Sequence, residues 1–340
     1  LVGSEMCIRD RYTVADGMRD GNVLGFDSVP QPTYKDKDLR KAVALEKAKA
    51  QDETEVFAND SKKKIYMHWM YDVPMGEQLD DDGDSLESIE GCLTDAQYNR
   101  DEHRKAVIDD ILDNWVSQSH NGKFHAILAT SSIPEAIKYY KLFAQRDCGL
   151  KTTAVFDPSD GNNESSIEKI DGIAQMLEDY NSLFGTCFNI SGYASFKRDV
   201  CARLAHKTPY TAVENEPSKC LDILIVVDQM LTGYDSKWLN TLYMDKFYKW
   251  SNIEMIIQAF SRTNRVFNDD KPHGIIRYYR RPYTMKNIIE YAFEQYSGQK
   301  PYGIFVAKLI QNLENMNAAF SDINDIFKIA GIPDFFKTSR

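Results

Sequence analysis

The fold of this chain is decided by residues 221–265, which read LDILIVVDQMLTGYDSKWLNTLYMDKFYKWSNIEMIIQAFSRTNR. Two apolar runs in this stretch, residues 221–227 and 239–244, have the length and the β-branched content of buried strands. A polar loop, LTGYD at residues 231–235, lies between them, and a helical segment follows that ends in Arg262 and Arg265. A purely structural segment rarely combines strands, a polar loop and spaced arginines, so this stretch is the first place to look for a site.

The flanking sequence continues the alternation of strands and helices. Strand patterns cover residues 124–129, 152–156 and 274–279, and helical patterns cover residues 101–119, 133–145, 167–183, 193–206 and 285–296. A further strand is predicted at residues 22–26, and two helices are predicted in the tail, at residues 304–316 and 320–329. Strands separated by helices predict an α/β fold with a mostly parallel sheet.

Composition excludes several classes of protein. Hydrophobic residues make up 43% of the chain and charged residues 27%, which is typical of a soluble globular protein. No apolar run approaches the roughly 18 residues that span a bilayer. Six cysteines without a CxxC motif and six scattered histidines predict reduced thiols in a cytoplasm, and no metal site.

Charge is distributed unevenly around a net value of −10. Residues 77–113 contain thirteen acidic and three basic side chains, whereas residues 246–286 contain nine basic and three acidic ones. The acidic residues 76–95 contain few apolar side chains and are predicted to form a mobile, solvated loop rather than a metal site. The basic stretch is the part of the chain that we expect to face a nucleic acid.

Two polar loops follow predicted strands, where parallel sheets collect ligands. They are Thr130-Ser131-Ser132 after the first strand of the alternation and the LTGYD loop near the fourth. Their hydroxyls and backbone amides could bind phosphate oxygens, Gly233 allows close backbone approach, and Asp235 could accept from a ribose hydroxyl. Ordinary strand-to-helix turns remain an equal alternative on these residues alone.

The arginines give a sharper signal. At positions i and i+3 of a helix, Arg262 and Arg265 share a face, and Gln258 lies one turn earlier near the same side. The planar guanidinium suits phosphate oxygens, and in phosphoryl transfer such a group accelerates the reaction by roughly 10³–10⁵. A surface helix with two solvated arginines is the alternative.

Several segments resemble a known family. ILIVVDQMLTGYD and QAFSRTNR look like motifs V and VI of superfamily 2 helicases and translocases. Together with DGMRDGNVLGF and FHAILATSSIPEAIKYYKLF, they resemble the motor of the type I restriction enzyme R subunit (HsdR) over about residues 13–279. The resemblance implies a RecA-like, P-loop NTPase-type parallel sheet flanked by helices and followed by a helical segment.

The resemblance also implies a domain division. Residues 12–30 would end a first RecA-like lobe, residues 31–120 would connect the lobes, residues 121–282 would form the second lobe, and residues 283–340 would begin a helical domain. Residues 1–11, LVGSEMCIRDR, look like adaptor read-through at the end of a gene fragment and are expected to be non-native.

Site roles follow from the same resemblance, residue by residue. Gln258, Arg262 and Arg265 match motif VI, whose arginines reach ATP, and Gly233 and Asp235 match the nucleotide-facing part of motif V. The candidate DNA contacts are Thr130, Ser131 and Ser132 at the place of motif IV, and Thr232 in motif V. Two positions depart from the family pattern: Thr232 stands where many members have Arg, and Val227 where many have Thr.

The implied function is that of a motor subunit in the cytoplasm. ATP and Mg²⁺ would be bound mainly by the other lobe, and hydrolysis would drive translocation of double-stranded DNA before cleavage, in a complex with methyltransferase (M) and specificity (S) subunits. The chain has no G-x-x-x-x-G-K-[ST], and Asp101-Glu102-His103-Arg104 sits in a charged helical segment unlike a DExH box, so we expect no activity from it alone. The alternatives are another superfamily 2 helicase or remodelling ATPase, and a catalytically silent RecA-like binding module.

Overall fold

A single parallel sheet forms the centre of the computed structural model. The structure describes residues 13–146, 148–156, 166–227 and 234–296, and residues 316, 317, 320, 321, 323, 326 and 327. The strands are β1 (Phe26–Pro30), β2 (His125–Thr130), β3 (Thr152–Val155), β4 (Ile223–Val226), β5 (Leu239–Asp245) and β6 (Gly274–Tyr278). They lie in the order β1-β6-β5-β2-β4-β3, and every neighbouring pair is parallel.

Helices cover the sheet, which confirms the predicted α/β fold with a parallel sheet flanked by helices. They are α1 (Val14–Arg19), α2 (Asp36–Lys47), α3 (Glu53–Phe57), α4 (Asp60–Met67), α5 (Asp95–Tyr98), α6 (Asp101–Gln118), α7 (Ile133–Gln145), α8 (Ser166–Phe184), α9 (Tyr193–Leu204), α10 (Ile253–Phe260) and α11 (Pro282–Tyr296). None of the helices within the described ranges is both long and apolar enough to cross a membrane. The tail helices predicted from residue 304 onwards fall almost wholly outside the described residues.

The central strands show why the apolar runs were informative. Every residue of β2, β4 and β5 is buried. A parallel strand covered by helices on both faces needs apolar residues at consecutive positions, because neither face meets water. The five strands predicted after residue 120 are therefore confirmed, with ends that differ by no more than two residues.

The first strand corrects one prediction. The strand expected at residues 22–26 lies instead at Phe26–Pro30, and it pairs with β6 at the edge of this same sheet. The chain first passes a turn at Gly21 (φ +72°) and extends only from Phe26, which is 1% exposed and packs edge-on against Phe260. The boundaries of the domains remain a prediction, but this strand belongs to the same sheet as the strands between residues 125 and 278.

A satellite cluster of apolar residues lies in the predicted connecting segment. Val43, Val56, Tyr66, Trp69 and Ile89 are its most characteristic members, contributed by α2, α3, α4 and the residues beyond them. The segment after α3 is mainly helical, since α4 continues into a π-helical turn at His68–Asp72.

The acidic residues 76–95 are not simply a solvated loop. Glu90 is fully buried, and its carboxylate accepts hydrogen bonds from the backbone N–H groups of Tyr283 (3.1 Å) and Thr284 (2.7 Å) at the start of α11. A Cβ atom on Gly76 would lie 2.5 Å from the carbonyl carbon of Tyr283, so the two backbones are in contact. Composition could not show this, because one buried carboxylate that caps a helix looks like any other acidic residue in the sequence.

Candidate functional site

The described part of the LTGYD loop, Tyr234 and Asp235, lies at the edge of the sheet opposite to Thr130, although both loops were predicted to follow strand ends. Thr130 ends β2, whereas Tyr234 lies beside the first residue of that strand, with its hydroxyl 3.0 Å from Nε2 of His125. Because β4 and β5 are parallel, the chain returns from the carboxyl edge to the amino edge between them. The five steps between the 6 residues of β2, at about 3.3 Å each, place the two edges about 16 Å apart. Residues 228–233, which include Thr232 and Gly233, lie outside the described residues.

The two arginines converge on residues 234 and 235 at the amino edge. Nη1 of Arg262 donates to the backbone carbonyl of Tyr234 (3.0 Å), and Nε of Arg265 donates to Oδ1 of Asp235 (2.6 Å). The predicted sharing of a helix face is wrong, since α10 ends at Phe260 and both arginines follow its last turn. Contact with residues 234 and 235, rather than helical spacing, brings the two arginines together.

The electrostatics of this cluster favour an anion. The Arg265 hydrogen bond lowers the pKa of Asp235, with further lowering from the charges of Arg262 and Lys207, so the carboxylate is ionised at neutral pH. Burial and the charge of Arg265 lower the pKa of Arg262 from its ordinary value. The Asp235 side chain is 66% exposed and that of Arg265 36%, so an incoming anion can reach both. Arg262, Arg265 and Lys207 thus surround the Asp235 carboxylate.

Gln258 lies in the last turn of α10, just before the two arginines. It lies on α10 with its residue exposed, and its backbone carbonyl accepts a hydrogen bond from the Ser261 hydroxyl (2.8 Å). Its predicted catalytic role remains a prediction.

At the carboxyl edge, the three hydroxyls of the predicted DNA-contacting loop have different roles. Thr130 is fully buried, and its hydroxyl donates to the Val226 carbonyl of β4 (3.0 Å), so this side chain is not available to DNA. Ser132 is the N-cap of α7 and accepts from the Glu135 N–H (3.4 Å). Ser131 is exposed, which leaves it as the member of the three whose side chain can meet a ligand. The correction for Thr130 has a simple cause, because the last residue of a central strand is still inside the sheet.

A buried charge network beside this loop was missed from the sequence. Asp245, the last residue of β5, is fully buried and accepts from Nε2 of His103 (2.8 Å), the Tyr139 hydroxyl (2.9 Å) and Nε of Arg280 (2.9 Å). Burial opposes its charge, but the hydrogen bonds and charges of His103 and Arg280 outweigh burial and lower the pKa of Asp245 to about 2. The only sequence signal was an acidic residue at the end of an apolar strand.

The same network explains the Asp101-Glu102-His103-Arg104 sequence. These residues form the first turn of α6, as the rejection of a DExH box requires. Both His103 and Arg104 are buried, and Arg104 makes a two-pronged ion pair with Glu135 of α7 (2.7 and 2.6 Å). The motif-like sequence therefore attaches α6 to the carboxyl edge.

The basic stretch is partly neutralised inside the protein. Arg277 of β6 pairs with Asp110 of α6, and Arg280 pairs with Asp245. Since these arginines are almost fully buried, they cannot face a nucleic acid. The prediction that the whole stretch at residues 246–286 faces DNA is therefore wrong for its β6 end, where acidic partners from distant segments compensate it.

No group of three or more histidine, cysteine, aspartate or glutamate side chains that could hold a metal ion occurs within the described ranges. The cysteines described, Cys92, Cys148, Cys187, Cys201 and Cys220, are all free thiols.

Comparisons with known proteins agree with this architecture. The family model of type I restriction enzyme subunit R domain 3 matches residues 122–281. A type I restriction enzyme endonuclease subunit of Staphylococcus saprophyticus is 32% identical over 278 residues, which are 79% of this chain and 24% of that protein. A second endonuclease subunit, from Staphylococcus aureus, is 29% identical over 277 residues with the same coverage.

More distant matches were also found. The HindI endonuclease subunit of Haemophilus influenzae is 42% identical over 60 residues, which are 17% of this chain and 5% of that protein. The crystal structure of the C-terminal part of the Fun30 ATPase domain is 13% identical with a TM-score of 0.28, covering 73% of this chain and 62% of that chain, a likeness too distant to define a fold. The chain spans about a quarter of the length of the staphylococcal relatives. The matching segments identify the chain as a part of a type I restriction enzyme R subunit, with the domain 3 of that family at residues 122–281.

Proposed function

We propose that this segment is the second RecA-like lobe of an R-subunit motor and that its amino edge forms one side of an ATP site. The observation that carries the proposal is the convergence of Arg262 and Arg265 on residues 234 and 235, with both guanidinium groups at one edge of the sheet. The other side of the ATP site would belong to the first lobe of the R subunit, which would also supply most ligands of Mg²⁺. The bound metal would neutralise phosphate charge.

The geometry suggests how these residues would act. The Arg265–Asp235 ion pair is exposed, and exposed pairs contribute only about 0–1 kcal/mol to stability. A phosphate group that carries more negative charge can therefore take the place of the carboxylate. Arg262 is already aligned by the Tyr234 carbonyl, which reduces the ordering needed when the phosphate arrives. Both arginines would stabilise the charge that develops on the transferred phosphoryl group.

The DNA side of the proposal concerns the opposite edge. Ser131 is exposed beside the start of α7, about 16 Å from the arginine cluster by the length of β2. We infer that nucleotide and DNA occupy different edges of this lobe, so that movement of the lobe against its partner lobe on hydrolysis would shift the DNA. Translocation of double-stranded DNA, assembly with M and S subunits, and a cytoplasmic location belong to this proposal.

The test is DNA-stimulated ATP hydrolysis by the full-length R subunit assembled with its M and S subunits. We expect Arg262→Ala and Arg265→Ala each to lower kcat by roughly 10³ or more, the scale of an arginine that acts on phosphoryl transfer. The matched control is Arg198→Ala, since Arg198 is exposed on α9 and donates to the Ser195 hydroxyl (3.0 Å). Wild-type turnover in both arginine variants would refute the ATP-site assignment.

A further inference from the structure

A lysine next to the arginine cluster is buried without an acidic partner. Lys271 is 1% exposed, and its ammonium donates to the backbone carbonyls of Leu239 (2.7 Å) and Lys237 (3.2 Å). Among the residues the structure describes, no carboxylate forms an ion pair with it. A buried ammonium without a carboxylate is unfavourable by several kcal/mol unless other groups compensate, so this position is costly for the fold.

The contacts of Lys271 continue those of the arginines. Arg262 and Arg265 bind residues 234 and 235, and Lys271 binds the carbonyls of residues 237 and 239. Three cations from residues 262–271 therefore hold one six-residue segment, and that segment leads directly into β5. A shift of the Lys271 ammonium would move the backbone that carries Asp235.

The charged groups around Lys271 are mostly basic. Burial, together with the positive charge of Arg265, lowers the pKa of Lys271 to about 7. Burial lowers the pKa of His125, on β2, well below its ordinary value, and repulsion by His206 and Lys271 adds to this, so His125 is neutral. The other ionisable side chains of the surrounding segments include Tyr234, Asp235 and Lys237 before β5, His206 and Lys207 after α9, and Asp269, Asp270 and His273 beside Lys271. Asp270 pairs with Lys123, and Asp235 with Arg265.

We propose that Lys271 is a positioning residue of this site and that an oxyanion held by Arg262 and Arg265 binds together with a proton on Lys271. The inference rests on the proposed phosphate-binding role of the arginines. An anion at Arg265 offsets the repulsion that Lys271 experiences from that guanidinium, so the ammonium form is favoured when the anion is bound. The charged ammonium then holds the carbonyls of residues 237 and 239 firmly, and the segment beneath the anion is fixed.

The direction of the pH dependence follows from this linkage. Because the anion-bound site retains the Lys271 proton to higher pH than the free site, anion affinity is constant below about pH 7 and falls as the pH rises further. It becomes constant again above the pKa of the bound form. If anion binding raises the pKa of Lys271 by one unit, the anion affinity is about tenfold higher at the acidic limit than at the basic limit.

The experiment uses the 340-residue chain with sulfate as the probe, because sulfate keeps both charges throughout this pH range. Lysine side chains carry a ¹³C label at Cε, and Arg Nε–Hε signals are followed in the same titrations. Spectra of Lys271→Arg and Arg265→Lys assign the two signals. We expect the Lys271 signal to titrate near pH 7 without sulfate, and at a pH at least one unit higher with saturating sulfate.

Two variants separate the possible results. In Lys271→Met the affinity for sulfate should lose its pH dependence. In the control Lys219→Met, which changes an exposed lysine, the affinity should keep that pH dependence. If the Arg265 signal responds to sulfate but the Lys271 titration stays unchanged, the inference about Lys271 is wrong and the phosphate-binding role stands. If neither signal responds, the anion site itself is refuted. The wild-type titration decides the question even if Lys271→Met does not fold.

Discussion

Replacement of Asp245 by asparagine is the perturbation that most clearly tests the packing of the carboxyl edge. Asp245→Asn keeps the volume but removes the charge that compensates Arg280, whose side chain is 3% exposed. Glu135 remains 4.0 Å from Arg280 as a weaker partner, and it is already paired with Arg104. Removal of one partner from a buried ion pair costs about 3–5 kcal/mol, so we expect the free energy of unfolding to fall by that amount.

The assay is urea unfolding of the 340-residue chain, followed by circular dichroism and tryptophan fluorescence. With a denaturant slope of about 3 kcal/mol per M, the loss corresponds to a midpoint lowered by about 1 to 1.7 M. The control is Asp269→Asn, an exposed acidic residue, which should change stability by less than about 0.5 kcal/mol. A second variant, Asp245→Asn with Arg280→Met, should recover part of the loss, because it removes the uncompensated guanidinium.

Acidification should reproduce the effect in the wild type. Since the folded-state pKa of Asp245 is about 2 and the unfolded value is near 3.9, its ionised form contributes stability above about pH 4. About 2 kcal/mol of that stability should be lost as the pH falls from about 4 to about 2, and the difference between wild type and Asp245→Asn should shrink over the same range. If Asp245→Asn unfolds at the same urea concentration as Asp269→Asn, the buried network does not stabilise this edge.

Three further substitutions test individual contacts. Thr130→Val should lower the free energy of unfolding by about 1–2 kcal/mol, because the Val226 carbonyl loses its donor, and it should leave DNA binding by the assembled complex unchanged. A loss of DNA affinity without a loss of stability would contradict that reading. Glu90→Ala should lower the free energy of unfolding by about 2 kcal/mol or more, because the first N–H groups of α11 lose the buried carboxylate that accepts their hydrogen bonds. Amide hydrogen exchange at the start of α11 measures the effect, and unchanged protection there would refute the capping role. Gly76→Ala should be destabilising, because its Cβ would lie 2.5 Å from the backbone of Tyr283, and an unchanged melting temperature would show that this contact relaxes without cost.

Much of the sheet could be read from the sequence because its strands are buried on both faces. Residues 223–226 form an uninterrupted apolar run, and residues 239–244 are apolar except for Asn240 and Thr241; such runs have few structural alternatives when helical patterns separate them. The helix α7 was predicted with its observed bounds, since Ser132 caps it and Pro134 fits its first turn. Edge strand β1 was displaced, because a five-residue strand ending in proline carries only a weak pattern.

The site was less accessible to sequence reasoning. Spacing alone identified Arg262 and Arg265, but it assigned them to a helix face, whereas contact with residues 234 and 235 organises them. Lys271 gave no signal, because burial of a lysine depends on how two distant loops pack. Asp245 and Glu90 were also missed, since partners such as His103 and Thr284 come from segments more than a hundred residues away, and no local pattern encodes such pairs.

Binding of a transition-state analogue tests the central claim most directly. In the full-length R subunit, Arg265 should contribute to binding only when extra charge occupies the position of the transferred phosphoryl group. We predict that Arg265→Ala weakens the binding of ADP with aluminium fluoride by at least about 100-fold, while the affinity for ADP alone changes by less than about threefold. Equal affinity of wild type and Arg265→Ala for the ADP–aluminium fluoride complex would contradict the assignment of this edge to the ATP site.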